Sequence, residues 1–348
     1  MHKNKEIKAS TFAYTILLVV ALLLVLNGIF IYFFNADSNF EKKIEKIIPY
    51  PAAIIGYKNF ITFNEVSENL KAVKGFYENQ NFSSIGLRVD FSTEEGKKRL
   101  KIKEKEILNK MIEDLAVEKI AKESGITITD EDVNQEVDRA LKEYGTKELT
   151  REKLNDLYGW TLEDFKQKVV KPDMYRKELE KIYAKDSNLN AQAKKKIENA
   201  LKELKAGGDF AKTAGKFSEG VSATDGGELG WFKKDQLIQE IADKIITLKK
   251  GEKSDIMESS IGFHIVEMEE LKKSENGEDL FRMRQIFIAK KSFADWLGEK
   301  MKSVSVVVLA KDFVWDTKNL TVEFGNQDLK KFEEKIQNDS QGDASVLF

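Results

Sequence analysis

Between Ser10 and Ala36 the chain carries no charged residue, and Thr11 to Phe34 is almost wholly apolar. A helix over that run rises roughly 36 Å, enough for a hydrocarbon core of about 30 Å. The run is longer than the apolar part of a cleaved leader and ends in the bulky Tyr32, Phe33 and Phe34 rather than in small residues, so it is expected to be an uncleaved anchor. After Pro49 and Pro51 the pattern changes. AAII reads as a strand, Gly56 as a turn, Ile61-Thr62 as a second short strand, and Val66 and Leu70 as one face of a helix.

Helical periodicity then dominates. Ile107, Leu108, Met111, Ile112, Leu115 and Ile120 recur at the 3.6-residue rhythm of a buried stripe. Ser92 with Glu95 predicts the start of that helix, and Gly125 its end. Thr129 with Asp132 opens a helix carrying Val133, Val137 and Leu141, and Gly145 ends it. Thr161 with Asp164 opens another, which Pro172 should kink or restart. Leu189, Ala193, Ile197, Leu201 and Leu204 give one more helix, closed by Gly207-Gly208. A short helix over DFAKTAGKFSEG follows, then a glycine turn into the strand of GGELGWF, a helix from Gln236 to Leu248, and strands around GFHIVEM. Short helices mixed with short strands over about 100 residues imply a small α+β domain. Near the carboxyl end SFADWLGEKM reads as helix, SVSVVVLA as strand and VWDTKNLTVEF as a hairpin through Thr317 to Asn319; this part is expected to pack on one of the preceding domains.

Composition adds exclusions. The 348 residues hold 57 basic and 59 acidic side chains, a net charge of -2, which gives no electrostatic case for nucleic acid. Cysteine is absent and the histidines are His2 and His264, so disulfides, thiolate chemistry and a histidine-rich zinc site are excluded. The sequence implies no metal and no cofactor. Neither a phosphate-binding glycine loop followed by Lys-Ser/Thr nor a Gly-x-Ser-x-Gly elbow occurs. Basic residues are near even on the two sides of the apolar run, Lys3, Lys5 and Lys8 before it and Lys42, Lys43 and Lys46 after, so charge alone does not orient it.

Two stretches resemble known families. IIGYKNFITFNEV, ILNKMIEDLAVEKIAKESGITITDEDV and GWTLEDFKQKVVKPDMYRKEL together resemble the chaperone region of SurA, PrsA and trigger-factor-like proteins. The order GGDF, FS, GGELGWF, LKKGEKSD and GFHIVEM resembles the parvulin, or rotamase, family of peptidyl-prolyl isomerases. Parvulins normally begin with a strand similar to Arg-x-Arg-His-Ile-Leu-Ile. Nothing of that kind precedes Leu189, whereas Phe281-Arg282-Met283-Arg284-Gln285-Ile286-Phe287-Ile288 follows the last strand. A circularly permuted module is therefore expected, with 266–271 turning at Asn276-Gly277 to pair antiparallel with 282–288.

The resemblance implies an α+β fold: an N-terminal transmembrane helix, a mostly helical SurA-like domain and a small parvulin-like domain with an antiparallel sheet. The expected divisions are a cytoplasmic tail 1–10, the span 11–34, a linker 35–50, the chaperone domain 51–185, the parvulin-like domain 186–290 with its first strand from 281–288, an extension 291–336 and a disordered tail 337–348. It also implies a single-pass membrane protein, its bulk extracytoplasmic, acting on unfolded or newly exported proline-containing polypeptides. The alternative is an inactive chaperone or an envelope scaffold with the same folds.

Family active sites use two histidines, a Cys or Asp, a Ser or Thr, and an apolar pocket with Met/Leu and Phe. Carried over, His264 and Ser259 keep the second histidine and the hydroxyl, and Leu237 keeps the Met/Leu position. Ile241 stands for the Phe, Gly220 for the Cys/Asp, and Gln285 for the first histidine. The implied site is His264, Ser259 and Gln285 as catalytic residues with Leu237, Ile241 and Phe263 binding substrate. These departures imply low or absent isomerase activity with peptide binding retained. The other reading of His264 is a structural histidine bonded to a neighbouring hydroxyl.

Overall fold

A computed structural model describes residues 28, 32, 47–79, 90–144, 146–186 and 188–339. The expected span lies almost wholly outside these, as does most of the linker. Among the described residues no helix is long and apolar enough to cross a membrane. The chain divides into two compact units, one of residues up to Leu179 together with Gly298–Phe348, the other Glu180–Leu297.

The first unit opens with β1 (Pro51–Ile55) and β2 (Asn59–Thr62), an antiparallel pair joined through Gly56 in the left-handed region. The Tyr32 hydroxyl donates to the Pro51 carbonyl at 3.0 Å. α1 (Phe63–Asn79) follows at once, its start closed by Glu65, whose carboxylate accepts from the backbone N–H and hydroxyl of Thr62 at 2.7 Å each. α2 (Glu94–Glu123) is capped by Thr93, whose side chain accepts from Gly96 N–H, one residue later than the Ser92 start expected. Its buried positions Leu108, Ile112, Ala116 and Ile120 repeat at four-residue steps; Leu108, Ile112 and Ile120 belong to the stripe read from sequence, whose Ile107, Met111 and Leu115 are half-buried.

α3 (Asp130–Tyr144) begins at the expected Thr129–Asp132 box, with reciprocal bonds between the two residues. α4 (Lys147–Tyr158) was not expected; Thr146 caps it and Gly159 ends it in the left-handed region. α5 (Leu162–Phe165) carries the Thr161–Asp164 capping box. A π-helical turn over Lys166–Val170 then leads into α6 (Lys171–Lys185). Pro172 accounts for the turn: it has no N–H to offer a carbonyl four residues back, and the ladder is re-registered as Lys171 N–H donates to the Lys166 carbonyl.

The chain enters the second unit within α6. α7 (Ala191–Lys205) and α8 (Phe210–Phe217) precede β3 (Glu228–Phe232). α9 (Gln239–Ile245) is shorter than the helix expected over 236–248. β4 (Met257–Glu258), β5 (Gly262–Lys273) and β6 (Asp279–Ala289) complete an antiparallel sheet in the order β3-β6-β5-β4. The expected hairpin is present and longer than predicted: pairing runs from Gly262 opposite Ala289 to Lys273 opposite Asp279. β6 thus sits inside the sheet, between the two strands that bracket it.

Side chains alternate across this sheet. Phe263, Ile265, Ile286 and Ile288 face α7 and α8, packing with Ile197, Leu204 and Phe210. Val266, Met268, Phe281 and Met283 face the other way, with Ile241 and Ile245 of α9. Each fully buried side chain of this size contributes about 1.5–3 kcal/mol.

α10 (Phe293–Met301) leads back to the first unit. Where the chain enters and leaves the second unit the two segments are clasped: Tyr183 hydroxyl donates to the Lys291 carbonyl, Asn190 accepts from Lys291 N–H at 3.0 Å, and Tyr183 packs on Phe293 and Trp296. β7 (Val306–Val308) pairs antiparallel with β1, and the hairpin β8 (Phe313–Asp316) and β9 (Thr321–Phe324) turns where predicted. Asn109 of α2 accepts from Thr321 hydroxyl at 3.0 Å and Val322 N–H at 2.9 Å. α11 (Gln327–Asp339) was not expected and carries helix past the start of the tail expected at 337. The extension therefore packs with the helical region.

Candidate functional site

β5 and β6 bring three of the expected residues together. His264 and Gln285 lie on the same face of adjacent strands, and Ser259 enters from the loop before β5. His264 Nε2 stands 2.7 Å from Ser259 Oγ, and His264 Nδ1 makes a longer contact of 3.4 Å to Gln285 Oε1. Ser259 Oγ also accepts from Ile261 N–H at 3.3 Å and stands 3.4 Å from the Gly262 carbonyl, a second acceptor for its proton beside His264 Nε2. A neutral imidazole matches both contacts when it accepts from Ser259 at Nε2 and donates from Nδ1 to Gln285 Oε1. Burial pushes its pKa below the ordinary histidine value, Lys290 adding slightly, while Gln285 and Glu240 act in the opposite direction.

With the folded pKa below 6.5, the unfolded chain takes the proton more readily. The stabilisation from neutral His264 is complete above that value and is lost as pH falls through it towards the folded pKa. Urea unfolding near pH 7.5 and near pH 5.5 is expected to show the lower midpoint on the acid side, with a smaller difference in His264→Gln.

The loop carrying Ser259 is held from two sides. Lys290 donates to the Ser259 carbonyl at 2.7 Å and pairs with Glu258, while Glu240 on α9 accepts from the Ser260 hydroxyl at 2.7 Å. Exposure decides what a ligand would touch. His264 is 0% and Ser259 4% exposed, so both act behind the surface as positioning residues. Gln285 and Leu237 are half-buried.

The expected pocket is only partly assembled. Ile241 is 1% exposed and belongs to the core under α9. Phe263 does not join it: next to His264 in a strand, it points to the opposite face and packs against α7 and α8. The aromatic ring beside His264 is Phe287, with centroids 5.1 Å apart and planes at 39°. Strand alternation from Gln285 was the signal that could have found it. Gly220, at the Cys/Asp position, lies against Phe287, where an added Cβ would stand 3.6 Å from the Phe287 Cβ.

A second candidate lies in the first unit. α1, α2, α4 and the segment after α4 enclose a groove of about 1160 Å³, lined by Phe60, Ala72, Met111, Leu115, Tyr158 and Trp160 among others. Tyr158 stacks on Phe76 with centroids 5.2 Å apart and leans on Trp160 at the same distance. Two polar atoms at this groove, Asn69 Oδ1 and Trp160 Nε1, are buried with no hydrogen-bond partner. A buried polar atom left unpaired costs roughly 1–3 kcal/mol, so both atoms are uncompensated costs of packing beneath the groove wall. Neither was singled out from sequence.

Residues 177–270 match the family model described as Rotamase, PPIC-type PPIASE domain. The match stops before β6. The chaperone SurA of Hydrogenovibrio crunogenus is 39% identical over 77 residues, 22% of this chain and 17% of that protein. The foldase protein PrsA of Geobacillus kaustophilus is 27% identical over 220 residues, 58% of this chain and 78% of that protein. PrsA of Geobacillus sp. strain WCH70 is 31% identical over 174 residues, 45% of this chain and 62% of that protein. The match thus spans less than a fifth of the first relative and between three and four fifths of the two foldases.

Proposed function

We propose, from the premise that the chain carries a PpiC-type PPIase domain beside a SurA/PrsA-like chaperone region, that it is a membrane-anchored folding factor. It binds unfolded or newly exported proline-containing polypeptides outside the cytoplasm and isomerises their prolyl bonds slowly. The observation that carries this reading is the Ser259–His264–Gln285 chain on the sheet face of the rotamase-like unit. The position of β6 between β3 and β5 supports a permuted module, in which the strand usually first in the sequence comes last. The charge-free run 11–34 supports the anchor.

Prolyl isomerisation requires rotation about a tertiary amide and no nucleophile; uncatalysed, it takes tens to hundreds of seconds. A site speeds it by holding the ring in an apolar surface and favouring the twisted amide through desolvation and hydrogen bonds. Here His264 is neutral and buried, Gln285 offers a carboxamide in place of an imidazole, and Gly220 offers nothing. Burial of the ring and one amide contact are what this face supplies, which is why turnover is slow. The groove, with its apolar and aromatic lining of Met111, Leu115, Tyr158 and Trp160, favours client holding as an activity independent of isomerisation.

The test uses the full chain in detergent micelles with two readouts: cis–trans exchange of a proline peptide by NMR, and suppression of aggregation of an unfolded client. His264→Ala is expected to remove the exchange enhancement and leave suppression intact. Trp160→Leu is expected to weaken suppression several-fold and leave exchange unchanged. A folded chain that neither accelerates exchange nor suppresses aggregation would overturn the reading in favour of an assembly scaffold.

A further inference from the structure

With His264 and Ser259 sealed behind the surface, Ile241 in the core and Phe263 on the opposite face, the family-derived positions leave the prolyl site without an aromatic wall. We infer that Phe287 of β6 is that wall, the residue that gives the site its preference for a proline ring. The inference rests on the prolyl-isomerase reading of the site and deepens it.

Four observations carry it. Phe287 follows Gln285 by two residues on β6 and so shares the face of Gln285 and His264; its ring lies 5.1 Å from the imidazole. It is half-buried, so part of the residue stays accessible. Its backbone is fixed at both ends, the N–H donating to Ser218 Oγ at 3.1 Å and the carbonyl accepting from Glu219 N–H at 2.7 Å. Glycines flank the ring on two sides. A Cβ at Gly262 would stand 2.4 Å from Phe287 Cε2, so the ring occupies space that a side chain there would take. The residues next to these glycines, Val221 and Ile261, are 101% and 55% exposed. Both are apolar side chains left in water, each next in sequence to a glycine that meets the ring.

A proline ring fits this surface: it is compact and apolar, and its C–H groups pack well on an aromatic face. The smaller Ile241 cannot supply that face, being a core residue, and β6 supplies it from the strand that the permuted order delivers last.

The experiment compares binding to the full chain, in detergent micelles, of two labelled peptides identical but for proline or alanine at the centre, by fluorescence polarisation. The first-unit groove contributes equally to both, so their ratio isolates the prolyl surface. Wild type is expected to prefer the proline peptide by roughly tenfold, the size of one aromatic contact with its buried area. Phe287→Leu is expected to bring the ratio close to one, and Phe287→Tyr to preserve it; thermal unfolding of each variant checks the fold. A proline preference unchanged in folded Phe287→Leu would overturn the proposal and leave the prolyl reading standing. Equal binding of the two peptides by wild type would overturn the prolyl reading and this proposal together.

Discussion

Gln285→His combined with Gly220→Asp is expected to raise prolyl-isomerase turnover of the full chain by about a hundredfold, at the low end of what positioned acid–base groups contribute. Both positions accept the change. Gly220 is not in the left-handed region, and a Cβ there meets only Phe287 Cβ and Ser218 Oγ at 3.6 Å and Phe287 Cδ1 at 3.9 Å, all ordinary contacts. An imidazole at position 285 would replace a carboxamide whose oxygen is 3.4 Å from His264 Nδ1. It would set two imidazoles side by side, and the carboxylate would stand over Phe287. Each single change is expected to give less than the pair, because the new groups act on one amide. NMR exchange rates of a proline peptide measure the effect. A folded double variant no faster than wild type would show that the resemblance to a prolyl-isomerase site ends at its fold.

The sheet, the hairpin and the partners of His264 were legible because each rests on local pattern. Alternation gives β5 and β6 their two faces, Asn276-Gly277 marks the turn between them, and the similarity to parvulins brings Ser259, His264 and Gln285 to one place. That similarity also carried the error at Phe263. Its neighbour His264 already takes the other face, so alternation alone assigns Phe263 to the core under α7 and α8, and assigns Phe287 to the side of Gln285. α4 escaped because its residues are mostly exposed and charged, with Leu154 its one buried position. α11 carries Leu329, Phe332 and Ile336 at helical spacing, but they lie in a segment read as extension and tail. The pairing of β7 with β1 joins residues 306–308 to 53–55. Periodicity identifies a strand and says nothing of its partner so far away in sequence. Asn69 and Trp160 had no signal at all, since an unpaired buried atom is a property of the packed groove.

Gly262→Ala is expected to destabilise the second unit by about 3 kcal/mol, a large share of a domain's usual stability. The added Cβ would stand 2.4 Å from the Ile288 carbonyl oxygen and 2.4 Å from Phe287 Cε2. A ring can turn aside. The carbonyl belongs to a strand held by its pairing with β5, Phe263 being registered opposite Ile288, and by Glu219 N–H donating to the preceding Phe287 carbonyl. The methyl group therefore has to spread β5 from β6 at the end where Ser259 and His264 meet. Two controls separate the causes. Adding Phe287→Ala should recover little, because the oxygen still blocks the methyl. Gly220→Ala, on the other side of the same ring, should change stability by less than about 0.5 kcal/mol, since its Cβ meets nothing closer than 3.6 Å. Urea unfolding of the three variants gives the comparison. Full recovery in the Gly262→Ala, Phe287→Ala pair would place the constraint in the ring and not in the strands. A loss confined to Gly262 variants means that close strand approach fixes the Ser259 loop, whereas position 220 is vacant space that a catalytic side chain can fill.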